Sequence, residues 1–132
     1  MHKKGSDLHE VSLEAFADPK CLDMAEEFLD AYLANDIAYS YTTPPKEGWT
    51  DDLKHSARVQ IDYSIDAYNS LLDRQYISDD EYDAVTDPLD EARKEDNPEN
   101  VRALLVEAGV HIMCQMFQRT CSCIVKAKGE AR

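Results

Sequence analysis

Several things are scarce in this chain, and each scarcity closes off a class of protein. Only four glycines occur among 132 residues, so the chain holds no phosphate-cradling glycine loop and no Gly-x-Ser-x-Gly nucleophile turn. Arg119 and several polar side chains interrupt even the richest apolar stretch. A membrane-spanning helix needs roughly 18 consecutive apolar residues, so none is expected. No apolar run follows Lys3 and Lys4, which leaves no secretory signal and makes the cytoplasm the expected address. No segment alternates polar and apolar residues over the length of a strand, and Asn-Gly and Asp-Gly turns are missing. Basic residues are also few. Lys and Arg number 14 against 27 Asp and Glu, a net charge of −13, which repels bare nucleic acid and anionic membrane surfaces alike.

What is present is an apolar and charged mixture, 43% hydrophobic and 31% charged, of the kind that folds around a core of its own. A single helical domain over residues 10–128 is expected, preceded by a flexible tail at residues 1–9 that offers little to pack. The segment that the rest must cover is 101–125. Val101, Leu104, Leu105, Ala108 and Ile112 follow the three-then-four spacing of one helix face. From Val110 onward apolar residues surround the axis, and a helix of that kind has to be enclosed by its own domain or by a second copy of the chain. A homodimer through Met113, Met116, Phe117, Thr120 and Ile124 is therefore one expectation, and a fold-back of the first helical segment is the other. Three of the four cysteines, Cys114, Cys121 and Cys123, lie in this stretch and Cys21 lies apart; the expectation is reduced thiols packed as small apolar groups.

Capping signals divide the remainder. Asp18-Pro19 starts a helix expected to reach about Asn35, with Leu22, Ala25, Phe28, Leu29, Tyr32 and Leu33 inward. Residues 38–49 hold Pro44-Pro45 and Gly48 and read as a long loop. Thr50 caps a second helix expected to end near Tyr76, with Leu53, Ala57, Gln60 or Ile61, Ser64, Tyr68, Leu71 and Leu72 as its buried line. Ser78 and Glu81 have the spacing of a capping box for a third helix, in which Tyr82, Val85, Leu89 and Ala92 face inward and Pro88 forces a kink or a split. Asn97-Pro98 launches the fourth. The fold class expected is all-α, an irregular antiparallel bundle of four main helices.

Three constellations have residue types suited to chemistry. His111, Cys114, Cys121 and Cys123 are zinc-ligand types, yet on one helix Cys114 and Cys121 lie roughly 10.5 Å apart along the axis, which one tetrahedral ion cannot bridge. A di-iron site needs two Glu-x-x-His motifs, and Asp52-Leu53-Lys54-His55 is a single loose variant. Glu26-Glu27-Phe28-Leu29-Asp30 resembles the first acidic motif of the all-α nucleotide pyrophosphohydrolases. That resemblance covers five residues and implies magnesium-assisted cleavage of nucleoside triphosphates, with Glu26, Glu27 and Asp30 holding the ions. The family's second motif, Glu-x-x-Asp on the next helix, is not found; Asp62 and Asp66 are four apart.

The charge distribution points elsewhere. Between Asp73 and Asp96 lie ten acidic and three basic residues, a field that steers a basic partner toward that side. The expectation is an acidic protein-binding module working without cofactor or metal. It would occupy the basic nucleic-acid-binding groove of another protein, as a phage or mobile-element inhibitor does. Asp79, Asp80, Glu81, Asp83, Asp87, Asp90 and Glu91 would supply the charge. Tyr39, Tyr41 and Trp49 are candidate anchors, because aromatic side chains dominate binding hot spots. The alternative is the metal-dependent hydrolase.

Overall fold

In the computed structural model the described residues run from Pro19 to Glu130, with side chains as far as Lys126. The expectations for residues 1–18 lie outside them. Four α-helices, α1 (Pro19–Tyr41), α2 (Asp51–Asp73), α3 (Asp79–Arg93) and α4 (Arg102–Glu130), are joined by irregular connections and by a 3-10 turn, Pro98–Val101; no strand occurs among the described residues. The all-α bundle stands. Each helix touches two others: α1 packs on α2 and α4, α3 packs on the same two, and neither α1 and α3 nor α2 and α4 meet. The helices thus stand at the corners of a square around one core.

The helix ends follow from local chemistry. Thr50 is extended, and its hydroxyl accepts from the backbone N–H of Leu53, while Asp51 and Asp52 complement the positive end of α2. The capping box at α3 is complete: Ser78 accepts from the N–H of Glu81, and Glu81 accepts from the N–H of Ser78. At the other end of α2, Gln75 adopts φ 63°. There the N–H of Tyr76 reaches the Leu71 carbonyl and that of Gln75 reaches Leu72, at 2.9 Å each, which is a Schellman closure with glutamine where glycine is usual. Asn97 accepts from the N–H of Glu99 and places Pro98 first in the 3-10 turn.

Inside, Ile61, Tyr68, Leu71, Leu89, Val101, Leu105, Ile112 and Met116 are fully or almost fully buried. Each contributes roughly 1.5–3 kcal/mol relative to exposure. Ala57, Ile61, Ser64, Tyr68 and Leu71 are the buried line of α2, whereas Leu53 is 42% exposed. Helix α3 runs unbroken through Pro88, so it is one element and not two short ones. Val85 and Leu89 are buried, and Tyr82 and Ala92 pack beside them.

Helix α1 departs most from expectation. It continues to Tyr41, and the face it buries is Cys21, Met24, Ala31, Asn35 and Ala38, with Phe28 partly covered. Leu22, Leu29, Tyr32 and Leu33 are 43%, 57%, 51% and 54% exposed. Apolar side chains surround α1, so periodicity alone does not choose a face. The choice is made by Asn35. Its Nδ2 donates to the Leu105 carbonyl at 2.9 Å, and its Oδ1 accepts from the Tyr68 hydroxyl at 2.6 Å and the Ser64 hydroxyl at 3.4 Å. One amide ties α1, α2 and α4 together. Gly109 makes room for it, since a Cβ there would stand 2.6 Å from Asn35 Nδ2. Burial pushes the Tyr68 phenol up to about 12, against a smaller lowering by Ser64, so the hydroxyl stays a donor at all physiological pH values.

Candidate functional site

The square arrangement gives the molecule two opposite broad sides. Successive helical residues turn by about 100°, which places Asp62, Asp66 and Asp73 of α2 and Asp79, Asp80, Asp83, Asp87 and Asp90 of α3 on the outer side of the α2–α3 pair. All are exposed except Asp90, which is half-buried. Asp90 accepts from Arg93 at 2.8 Å, Asp62 pairs with the same guanidinium, and the exposed Glu91 pairs with Lys94. Asp66, Asp73, Asp79, Asp80, Asp83 and Asp87 form no ion pair among the described residues. The half-buried Tyr82 reports the resulting field: burial first, then the charges of Asp90, Asp83 and Asp66, hold its phenol above the ordinary value.

Glu81 belongs to a different structure. Both its oxygens accept from Arg119 Nη2, at 2.8 and 2.7 Å, and Arg119 Nη1 also donates to the Tyr76 carbonyl at 2.5 Å. Burial alone would raise the Glu81 carboxyl, but the hydrogen bonds from Arg119 and the Ser78 N–H, with the Arg119 charge, hold it below the usual range. Glu81 therefore fastens the α2–α3 turn to α4, and its charge is spent inside the chain.

The aromatic trio also divides. Trp49 Nε1 donates to Glu99 at 2.7 Å, and the Tyr39 ring lies 4.3 Å from the Arg102 guanidinium carbon, a cation–π contact. Trp49 thus ties the loop at 42–50 to the 3-10 turn, and Tyr39 ties the end of α1 to the start of α4. Tyr41 is 46% exposed and is the member open to a partner.

The other broad side is apolar. Along α1 it carries Leu22, Ala25, Leu29, Tyr32 and Leu33, and along α4 it carries Val106, Val110, Met113, Phe117 and Ile124. By helical angle no charged residue falls within either strip between these limits. Val106, Val110 and Phe117 are 48%, 61% and 60% exposed, and a groove of about 410 Å³ runs between Tyr32, Asp36 and Tyr39 on one helix and Val106, Val110 and Met113 on the other. Of the five residues expected at a dimer contact, Met113, Phe117 and Ile124 lie on this side. Met116 and Thr120 do not: they are 0% and 8% exposed, and the Thr120 hydroxyl is bonded to the Met116 carbonyl at 2.7 Å. Both point into their own bundle, because apolar residues all round α4 include its core seam as well as its outer strip.

Glu26, Glu27 and Asp30 sit on α1 without converging with carboxylates of a second helix. Glu27 pairs with Arg74 at 2.7 Å and accepts from Ser70 at 2.8 Å, while Glu26 and Asp30 are exposed. No group of three or more His, Cys, Asp or Glu side chains among the described residues is placed to hold a metal ion. No described helix is long and apolar enough to cross a membrane. Comparison of the chain with protein-family models, with curated proteins and with solved structures returns no match.

Sequence reasoning missed two features of these sides. The spacing of four that keeps Asp62 and Asp66 from forming a Glu-x-x-Asp-type motif is what puts both carboxylates on one outer face. Leu22, Leu29 and Leu33 have the spacing of one apolar helix face, and the structure leaves that face outside the core.

Proposed function

We propose that this chain is an acidic protein-binding module of the cytoplasm whose α2–α3 side enters the basic nucleic-acid-binding groove of another protein. The observation that carries the reading is the row of carboxylates on α3 that form no ion pair among the described residues. Asp79, Asp80, Asp83 and Asp87 lie within nine residues of one helix, roughly 12 Å at 1.5 Å per residue. That is one charge per about 4 Å of axis, near the 3.4 Å per charge along a strand of duplex DNA. A phage or mobile-element inhibitor of a nucleic-acid-binding protein has use for such a surface. Asp66 and Asp73 broaden the row, and Tyr41 stands open on the molecule as an anchor.

On the opposite side, two copies join through the uncharged strips of α1 and α4. Seven large side chains, each about half exposed and offering roughly 150–200 Å² when fully open, give on the order of 600 Å² per copy. With the shared groove and the flanking Met113, Ile124 and Ala25 this approaches the ~800 Å² per partner of a standard interface. The dimer would then display an acidic side at each end.

Sedimentation over roughly 1–100 µM tests the second copy, and Leu29→Glu with Phe117→Glu tests the strip. The wild type is expected to dimerise, and the variant to be monomeric with its fold intact. A monomeric wild type overturns the assignment, and a monomer that dimerises once residues 1–18 are removed assigns the strip to that segment instead. The acidic side is tested by Asp66→Lys, Asp83→Lys and Asp87→Lys together. They spare the first turn of α3, so the helix keeps its favourable N-terminal charges.

A further inference from the structure

One pair of reactive groups lies outside everything above. The Sγ atoms of Cys21, near the start of α1, and Cys123, in the last third of α4, stand 2.7 Å apart. Two bonded sulfurs lie at about 2.05 Å, so this is a thiol pair within reach of a bond. Its register is not accidental. Cys21 is fourteen residues before Asn35 on α1, and Cys123 is fourteen residues after Gly109 on α4. The two helices run antiparallel, so the Asn35–Gly109 contact and the two cysteines lie four turns apart on one continuous seam. The buried amide that fixes the seam also fixes the sulfurs face to face.

The two thiols differ in access. Cys21 is fully buried. Cys123 is partly exposed and lines a cleft of about 1340 Å³ that Met24, Arg74, Tyr76, Arg119 and Lys126 also border. That asymmetry is the arrangement thiol–disulfide exchange requires, one sulfur that meets the reagent and a second placed behind it.

From this geometry we infer that Cys21 and Cys123 are a modification site: a dithiol that a low-molecular-weight disulfide of the glutathione class converts to an intrachain cross-link. The Cys123 thiolate attacks one sulfur of the reagent, forming a mixed disulfide and releasing one thiolate. The Cys21 thiolate then attacks the Cys123 sulfur, the second reagent thiolate leaves, and each leaving thiolate takes up one of the protons the cysteines gave up. Two cysteine thiols are oxidised by two electrons, and one reagent disulfide is reduced to two thiols. The bond closes a loop of about one hundred residues and clamps α1 onto α4, which holds the two helices of the apolar side together. The inference does not depend on the proposed function.

The test uses the full chain with Cys114→Ser and Cys121→Ser, which removes the two exposed thiols as competitors. After oxidised glutathione at mildly alkaline pH, the intact mass should fall by about 2 Da, the two lost hydrogens. Both remaining cysteines should resist alkylation, and Tm should rise on the order of 10 °C, the shift expected from closing so long a loop in a domain of this size. Dithiothreitol should reverse all three, and a further Cys123→Ser should abolish them. Thiols that stay alkylatable, a mixed disulfide that persists on Cys123, or a cross-link between two chains would overturn the assignment. Should the double variant fail to fold, a non-reducing peptide map of the oxidised wild type decides it: a Cys21–Cys123 peptide supports the pair, and any other pairing overturns it.

Discussion

Replacing Asn35 by alanine probes the point on which the bundle turns. The side chain is 9% exposed, and its loss leaves the buried hydroxyls of Tyr68 and Ser64 without their acceptor. A stranded buried polar group costs about 1–3 kcal/mol, partly offset by the roughly 0.5 kcal/mol that alanine gains over asparagine in a helix. The net expectation is a loss of about 2 kcal/mol, or a fall in Tm on the order of 8 °C. The sharper result comes from Gly109. In the wild type, Gly109→Ala drives a methyl group against Asn35 Nδ2 and should destabilise by about 1 kcal/mol, even though alanine is the better helix former. In the Asn35→Ala background the obstruction is gone, and the same substitution should stabilise by up to about 1 kcal/mol. Urea denaturation of the four proteins in a double-mutant cycle measures this. Effects of Gly109→Ala that agree within about 0.5 kcal/mol in the two backgrounds would refute the account of how α1 chooses its face.

Three further expectations follow from the same geometry. Glu81→Gln should cost roughly 2 kcal/mol near neutral pH by weakening the capping box and the Arg119 bridge. Because the folded-state carboxyl is held low, its contribution is full above the ordinary glutamate range of about 4.3 and is lost as pH falls through the folded value, so the variant's acid unfolding limb should be flatter than the wild type's. Gln75→Gly relieves a left-handed residue at φ 63° and should raise stability by about 0.5–1 kcal/mol in thermal unfolding; a loss would show that the Gln75 side chain contributes something the Schellman closure does not require. Trp49→Phe removes the bond to Glu99 at a site only partly buried, and should cost no more than about 1 kcal/mol; a larger loss would mean that the loop anchors more of α4 than the single bond implies.

Much of the fold was legible because it is written in local chemistry. Thr50 and the Ser78 and Glu81 box each mark a helix start through a side chain that satisfies a nearby backbone donor, and α2 and α3 begin where they stand; Asn97-Pro98 starts the 3-10 turn that leads into α4 at Arg102. The buried line of α2 was legible for a similar reason, since polar residues leave it only one apolar stripe. The seam of α1 was not. Its buried members are small, Cys21, Ala31 and Ala38, and its specificity comes from Asn35, whose partners Tyr68 and Leu105 lie 33 and 70 residues away. No local pattern encodes that meeting. The acidic row was visible as composition, but the division between carboxylates open to a partner, such as Asp83 and Asp87, and those consumed within the chain, such as Glu81, depends on where Arg119 and Arg93 arrive from distant helices. The thiol pair escaped for the same reason, because 102 residues separate its members.

The central claim is that the α2–α3 side stands in for a phosphate backbone. The most direct measurement is capture of proteins from the native host at low salt, with the wild type and the Asp66→Lys, Asp83→Lys, Asp87→Lys variant compared side by side, and elution by duplex DNA. The account predicts that the wild type retains a nucleic-acid-binding protein, that DNA and salt between roughly 50 and 200 mM displace it, and that the variant retains none. Equal retention by the two proteins, or a complex that DNA leaves in place, would contradict it.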